Sequence, residues 1–217
     1  MSLPPQSPLD VLPAALRALA AKGEIKRYRK GTLLIQEGDF GESLYVMLSG
    51  RVKVYSIDDR DREMIFGSYG PGAYFGEMSL DGGPRSANVA TLEATTCVLI
   101  GRRTLLQHIS EHPEFAFDLL SRVIARARMA TASARNMALL DVYQRVVQLL
   151  ESLAAPDPAA DGSRLLTERL THGDISKRVG CSREMISRLM KDLVSGGYLR
   201  VDSGHRIVLL KNLPGKW

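Results

Sequence analysis

Between Glu24 and Leu105 the chain is cut by glycine into short runs that alternate apolar and polar residues. The runs are Ile25–Tyr28, Ser43–Ser49, Arg51–Ile57, Glu63–Ser68, Ala87–Leu92 and Thr95–Ile100. Gly31, Gly38, Gly41, Gly50, Gly70, Gly72, Gly76, Gly82 and Gly83 stand between or around them. Runs this short have the two-residue period of a half-buried strand, and glycine accepts the backbone angles that tight turns need. A compact antiparallel β-roll or barrel is the architecture that such a stretch can build.

Helical texture flanks the roll. From Leu9 to Lys22, the residues Val11, Leu12, Ala15, Leu16 and Leu19 share one side of a predicted first helix. From Glu114 to Leu153 the texture returns. There Leu120, Val123, Ala127, Ala130, Ala134 and Met137 step by three and four residues, the a and d positions of a heptad. Its small residues let two helices approach closely, so the seam suits a dimer helix; packing on the chain's own core is the alternative. Ala154 to Gly162 is a predicted exposed loop, by its Pro, Asp and Gly content.

The last 47 residues differ in charge. Nine Lys and Arg stand against four Asp and Glu from Thr171 onward, so the whole formal excess of +5 lies there. A polyanion would be steered to that end. Thr171 can cap a short helix ending at Val179, and Gly180 closes it. Ser182 then caps a second helix, in which Ile186, Leu189, Met190 and Leu193 face a core. Arg183, Glu184, Ser187, Arg188 and Lys191 fall on its opposite side. Arginine bonds guanine O6 and N7 bidentately and glutamate accepts from cytosine N4, so this face suits the major groove of double-stranded DNA. A solvated charged face is the plainer reading of the same pattern. Tyr198–Val201 and Arg206–Leu210, joined through Asp202-Ser203-Gly204, form a predicted wing with Arg206 and Lys211 available for phosphates.

Composition narrows the classes further. No apolar run reaches the length of a membrane span, and MSLPPQSPLD lacks the pattern of a secretory signal, so a cytoplasmic location is expected. Cys97 and Cys181 are too few for a disulfide framework and are expected reduced. His108, His112, His172 and His205 are read as scattered, without metal-ligand spacing, so no metal is expected. Neither a Walker loop nor a nucleophile–base constellation occurs, and an enzyme is not expected.

Three motifs together resemble the CRP/FNR family of transcription regulators over residues 9 to 212. Phe75-Gly76-Glu77-Met78-Ser79-Leu80, followed by Pro84-Arg85-Ser86-Ala87, resembles the phosphate-binding cassette of cyclic-nucleotide domains. Asn136-Met137-Ala138-Leu139-Leu140-Asp141-Val142 resembles the family's hinge. Val179-Gly180-Cys181-Ser182-Arg183-Glu184 resembles the start of its recognition helix. The implied fold is α+β: a cyclic-nucleotide-binding β-roll of the double-stranded jelly-roll type (1–115), a dimerisation helix (116–140) and a winged helix-turn-helix (141–217).

The resemblance also implies roles. Gly76, Glu77, Met78, Arg85, Ser86, Ala87, Arg126 and Thr131 would bind a cyclic nucleotide. Arg85 and Ser86 would hold the phosphate, together with backbone N–H groups after Gly76. Glu77 would accept from the ribose 2′-hydroxyl. Arg126 matches a family arginine near the pocket; a solvated salt bridge is its other reading. The stretch from Glu77 to Arg85 is one residue shorter than is usual in the family. The Thr-Ser pair that reads adenine in cyclic-AMP-binding members is here Ala130-Thr131, of which only Thr131 keeps a hydroxyl. Cyclic AMP is the expected effector, with cyclic GMP, another nucleotide or none left open. Iron–sulfur and haem sensing are not expected, since no cysteine precedes Cys97 and no histidine precedes His108.

On the DNA side the expected contacts are Thr171, Ser182, Arg183 and Glu184, with Ser187, Arg188, Lys191 and Arg206. Arg183, Glu184 and Arg188 match the family's base-reading trio, which implies a palindrome of TGTGA-like half-sites bound by a homodimer. RNA polymerase is a further implied partner. A β-roll that is only a scaffold, or a nucleotide-responsive subunit that regulates an enzyme, are the rival readings.

Overall fold

A computed structural model describes residues 7–215, which leaves residues 1–6 of the N-terminal decapeptide outside the described residues. Two compact units divide at Ala127/Arg128. The first opens with a 3-10 turn, Pro8–Val11, and then α1 (Ala14–Ala20). The single helix expected from Leu9 to Lys22 is thus broken, because Pro13 lacks the N–H that would continue it and serves as the N-cap of α1. Leu12, Leu16 and Leu19 are buried as expected, whereas Val11 and Ala15 are exposed.

Eight strands follow: β1 (Glu24–Tyr28), β2 (Leu33–Ile35), β3 (Ser43–Ser49), β4 (Val52–Ile57), β5 (Glu63–Tyr69), β6 (Tyr74–Phe75), β7 (Asn88–Thr91) and β8 (Thr95–Gly101). They make two antiparallel sheets, ordered β1-β8-β3-β6 and β2-β7-β4-β5. β2 and β6 were not foreseen; at three and two residues they are too short to show a period. Alternation explains the layering. Leu44, Val46 and Leu48 of β3 join a core with Leu12, Leu16, Leu19 and Phe115, while Met47 joins a second core with Phe75 and Cys97 of its own sheet and Val52 and Val89 of the other. β3 is therefore buried on both faces, which is why it reads as a nearly continuous apolar run.

Next come α2 (Arg102–Glu111), which sequence periodicity did not separate from its neighbours, and α3 (Glu114–Leu139). The last turn of α2 brings His108, Glu111 and His112 to one face, with ligand atoms all within 4.8 Å. This corrects the reading of these histidines as scattered: they stand at i, i+3 and i+4 with the glutamate, the spacing that shares a helix face.

On α3 one stripe, Phe115, Leu119, Arg122 and Arg126, turns toward the roll. Phe115 is buried there and contributes roughly 2–3 kcal/mol by its burial. The heptad residues Leu120, Val123, Ala127, Ala130, Ala134 and Met137 lie off that stripe and are all exposed.

In the second unit Asp141 ends the helical run. Its carboxylate accepts from the Gln144 backbone N–H at 2.8 Å and the Gln144 side chain answers at 3.1 Å, a capping box that starts α4 (Val142–Leu153). β9 (Arg164–Leu165), α5 (His172–Val179), α6 (Arg183–Ser195), β10 (Leu199–Val201) and β11 (Ile207–Leu209) complete it. The wing is a three-stranded sheet, β10-β11-β9, rather than the two-stranded hairpin expected. One core unites Val146, Leu150, Ile175, Ile186, Leu193 and Leu209. No helix among the described residues is long and apolar enough to cross a membrane.

Candidate functional site

In the first unit the site is built around Arg85. Gly76 sits in the left-handed region at φ 90° and caps a 3-10 turn, Glu77–Ser79. A Cβ there would stand 2.6 Å from the Ser43 carbonyl oxygen and 2.9 Å from Arg85 Nη1, so only glycine lets the guanidinium in. A Cβ on Gly41 would meet Arg85 Nη2 at 2.9 Å. Arg85 Nη1 donates to the Gly76 carbonyl at 2.8 Å, and Nη2 to that of Ser43 at 3.2 Å. Its backbone is held by Asp39 and Gly38. Burial pulls its pKa down from the ordinary arginine value, and the Tyr45 phenol and Glu77 carboxylate act the other way. Two of its five N–H groups are thus given to backbone carbonyls, which aim the fork and leave donors for an anion.

Glu77 adjoins it with its side chain only 1% exposed. Oε1 is bound by Arg126 Nη1 from α3; Oε2 is buried without a hydrogen-bond partner among the described residues. Arg126 also donates to the Tyr74 carbonyl and lies 4.8 Å over the Tyr69 ring. The solvated salt bridge considered for Arg126 is therefore a largely buried one. The Tyr74 hydroxyl is a second buried orphan, and burial pushes its pKa up to about 12.

The other expected residues are placed less uniformly. Met78 is exposed, Ser86 donates to its sulfur at 3.5 Å, and Ala87 is buried. Thr131 belongs to the second unit. Gly41, Ser43, Tyr74 and Ser79 were missed. Ser79 is buried and its hydroxyl donates to the Gly41 carbonyl at 2.7 Å, which fixes the loop before β3 against the cassette. Gly41 and Ser43 carry no local signal, because only folding brings them to Arg85, whereas Tyr74 and Ser79 adjoin the cassette in sequence and show their roles only through Arg126 and Gly41.

In the second unit the helix pair follows its caps. Thr171 Oγ1 accepts from the Asp174 N–H at 3.1 Å and closes a capping box that starts α5. Gly180 ends α5 at φ 73°, and Ser182 Oγ accepts from the Met185 N–H at 3.2 Å to start α6. Burial of Ile186, Met190 and Leu193 then turns Arg183, Glu184, Arg188 and Lys191 outward. None of these four carries an ion pair among the described residues, and Arg183, Glu184, Ser187 and Arg188 line one shallow open depression. Ser187 is half-buried and its hydroxyl meets His172 Nδ1 at 3.0 Å, which ties α6 to α5.

Arg206 is exposed on the wing. Lys211, expected free for phosphates, instead donates to the Gly196 carbonyl at 3.1 Å and lies 4.0 Å over the Tyr198 ring. Arg145 was missed: it donates to the Val179 carbonyl at 3.1 Å and the Leu140 carbonyl at 2.9 Å, which joins the end of α5 to the residue before the Asp141 cap.

Comparison with known proteins agrees with both halves. Residues 25–112 match the family model of the cyclic nucleotide-binding domain, and residues 144–215 that of the Crp-like helix-turn-helix domain. The chain is similar to a CRP-like cAMP-activated global transcriptional regulator of Mycobacterium tuberculosis, 30% identical over 194 residues, 88% of this chain and 87% of the relative. It is also similar to the cAMP-activated global transcriptional regulator CRP of Haemophilus influenzae, 34% identical over 173 residues, 78% of this chain and 76% of that one. Among solved structures, the c-di-GMP responsive global regulator CLP of Xanthomonas campestris superposes with a TM-score of 0.78 at 28% identity. That match covers 91% of this chain and 98% of the other.

Proposed function

The chain belongs to the CRP/FNR family, ligand-responsive transcription regulators and not enzymes, and on that premise we propose that it is a cyclic-AMP-gated homodimer that reads a palindrome of TGTGA-like half-sites. The observation that carries the ligand reading is the pairing of the Arg85 fork with the unpartnered Glu77 Oε2 in one glycine-rich turn. An anion acceptor beside a buried carboxylate oxygen suits a ligand with both a phosphate and a hydroxyl, and a ribose cyclic phosphodiester carries both. In this reading residues 1–115 sense, 116–140 dimerise through the exposed heptad seam, and 141–217 bind DNA.

Gating is a population shift. Nucleotide in the roll favours one arrangement about the Leu140-Asp141 hinge, in which two copies of α6 stand about 34 Å apart, one duplex turn. Arg183, Glu184 and Arg188 read base edges, while Thr171, Ser182, Ser187, Lys191 and Arg206 hold the backbone. RNA polymerase is the partner that a regulator so placed would meet.

Calorimetric titration with cyclic AMP, cyclic GMP and cyclic di-GMP tests the effector. Micromolar binding of cyclic AMP that Arg85→Ala abolishes supports the proposal; no heat with any of the three refutes it. A second reading, a different nucleotide effector, is favoured by Ala130, which offers no hydroxyl to a base, and by the named response of the Xanthomonas relative. On DNA, Arg183→Ala should cost about 1–3 kcal/mol and relax the preference at one guanine. Unchanged affinity and preference in a gel-shift series would defeat that assignment.

A further inference from the structure

Away from the nucleotide turn and α6, the C-terminal end of α2 gathers ligand chemistry that the proposed function does not use. His108, Glu111 and His112 offer two imidazoles and a carboxylate whose ligand atoms all lie within 4.8 Å of one another. His108 is the anchored member. It is 1% exposed, its ring meets Phe115 edge-on at 5.3 Å, and its Nδ1 is buried without a hydrogen-bond partner among the described residues. A buried polar nitrogen left unpaired is rare in a folded protein.

The His112 ring lies tilted by 40° beside it, centroids 4.6 Å apart, and its Nδ1 faces the Glu114 carboxylate at 3.4 Å. That leaves Nε2 for an ion, with a carboxylate behind the ring to orient it. Glu111 Oε1 accepts from Gln107 at 3.0 Å, while Oε2 holds the Lys22 ammonium at 2.5 Å. A cation already sits at this carboxylate, and it comes from the chain itself.

We propose that His108, Glu111 and His112 form a binding site for a zinc-class divalent cation, which displaces Lys22 from Glu111. Two imidazoles and a carboxylate are a donor set that zinc accepts, with solvent as the fourth ligand. Metal–ligand bonds of about 2.0–2.2 Å place tetrahedral ligand atoms about 3.3 Å apart. None of the present separations is above 4.8 Å, and the exposed Glu111 and half-buried His112 side chains are the two members with room to move inward. The His112 N–H already donates to the His108 carbonyl at 2.8 Å, so the ion would staple a turn whose backbone is formed. Occupancy would stiffen the junction of α2 with α3 and release Lys22 from its tie between α1 and α2.

The test uses untagged full-length protein stripped with chelator, titrated with Zn²⁺ against a chromophoric competitor and with Co²⁺ by visible absorption. One ion per chain is expected. Glu111→Gln and His112→Gln should each weaken binding about tenfold or more with unchanged far-UV circular dichroism. Lys22→Gln should tighten it, since the competing ammonium is gone, and Cys181→Ser should leave it as it was. Binding unmoved by Glu111→Gln and His112→Gln would mean an adventitious ion only. That result, no binding at all, or no gain in Lys22→Gln would overturn the proposal.

Discussion

Replacing Arg126 with methionine isolates the energetics of the Glu77 pair. Methionine keeps much of the apolar stem and removes the only counter-charge that bonds Glu77 among the described residues. The Glu77 side chain is 1% exposed, so removing one partner of this pair strands a charge, a change that costs about 3–5 kcal/mol. The lost bond to the Tyr74 carbonyl and the contact with Tyr69 add about 1–2 kcal/mol. Arg126→Met should therefore destabilise the first unit by about 4–7 kcal/mol. Urea unfolding followed by near-ultraviolet circular dichroism reads this, since Tyr28, Tyr45, Tyr55, Tyr69 and Tyr74 all lie in that unit. The double variant Glu77→Gln/Arg126→Met should lose less than the single one, because a neutral amide leaves no charge stranded. An equal or larger loss in the double variant, or a loss under about 1 kcal/mol in the single one, would refute the reasoning.

Gly76→Ala should cost about 3 kcal/mol and weaken nucleotide binding, because it combines the left-handed backbone with a 2.6 Å clash. Gly72→Ala, at φ 80° with nothing within 4 Å of the new methyl, should cost only about 1 kcal/mol; equal losses in thermal melts would contradict the role given to Arg85's seat. Burial alone would raise the Asp174 pKa, but hydrogen bonds from the Thr171 hydroxyl and backbone outweigh it and, with Arg178 and Lys177 near, hold it below the ordinary value. A folded pKa so depressed contributes stability above about 3.9 that is lost as pH falls through the folded value. Asp174→Asn should accordingly flatten the acid limb of the second unit's unfolding curve, measured by circular dichroism. Burial pushes the Cys97 thiol up to about 12, so alkylation at pH 8 should label Cys181 first and Cys97 only on unfolding. Equal rates in a mass-spectrometric time course would count against the buried placement.

Where local chemistry decides the structure, it was legible. Gly180 and Ser182 place the turn and start of α6, and Thr171 that of α5, because a cap acts through side chains and backbone within three residues. The glycine-punctuated runs gave β1, β3, β4, β5, β7 and β8, since a period of two is written in consecutive residues. β2, β6 and β9, of two or three residues, carry no period and exist only through the strands they pair with. Pro13 breaks the first helix in a way the apolar pattern masked. Lys211 looked like a free cation because its acceptor, the Gly196 carbonyl, lies 15 residues away.

The candidate site divides along the same line. The residues proposed for the nucleotide turn, Gly76, Glu77 and Arg85, stand close enough in sequence for their chemistry to show. What surrounds them does not. The Ser43 carbonyl reaches Arg85 across 42 residues and Arg126 reaches Glu77 across 49, and both contacts arise from packing β3 and α3 on the cassette. By itself the sequence determined the succession of roll, long helix and basic helix pair, through periods, caps and charge, which are all local quantities. Only the tertiary structure decided that Arg85 is buried and pinned, that one oxygen of Glu77 is spent on Arg126 while the other is left unpaired, and that Lys22 meets Glu111. Burial and partnership depend on what the rest of the chain brings within a few ångströms, and no window of neighbouring residues contains that information.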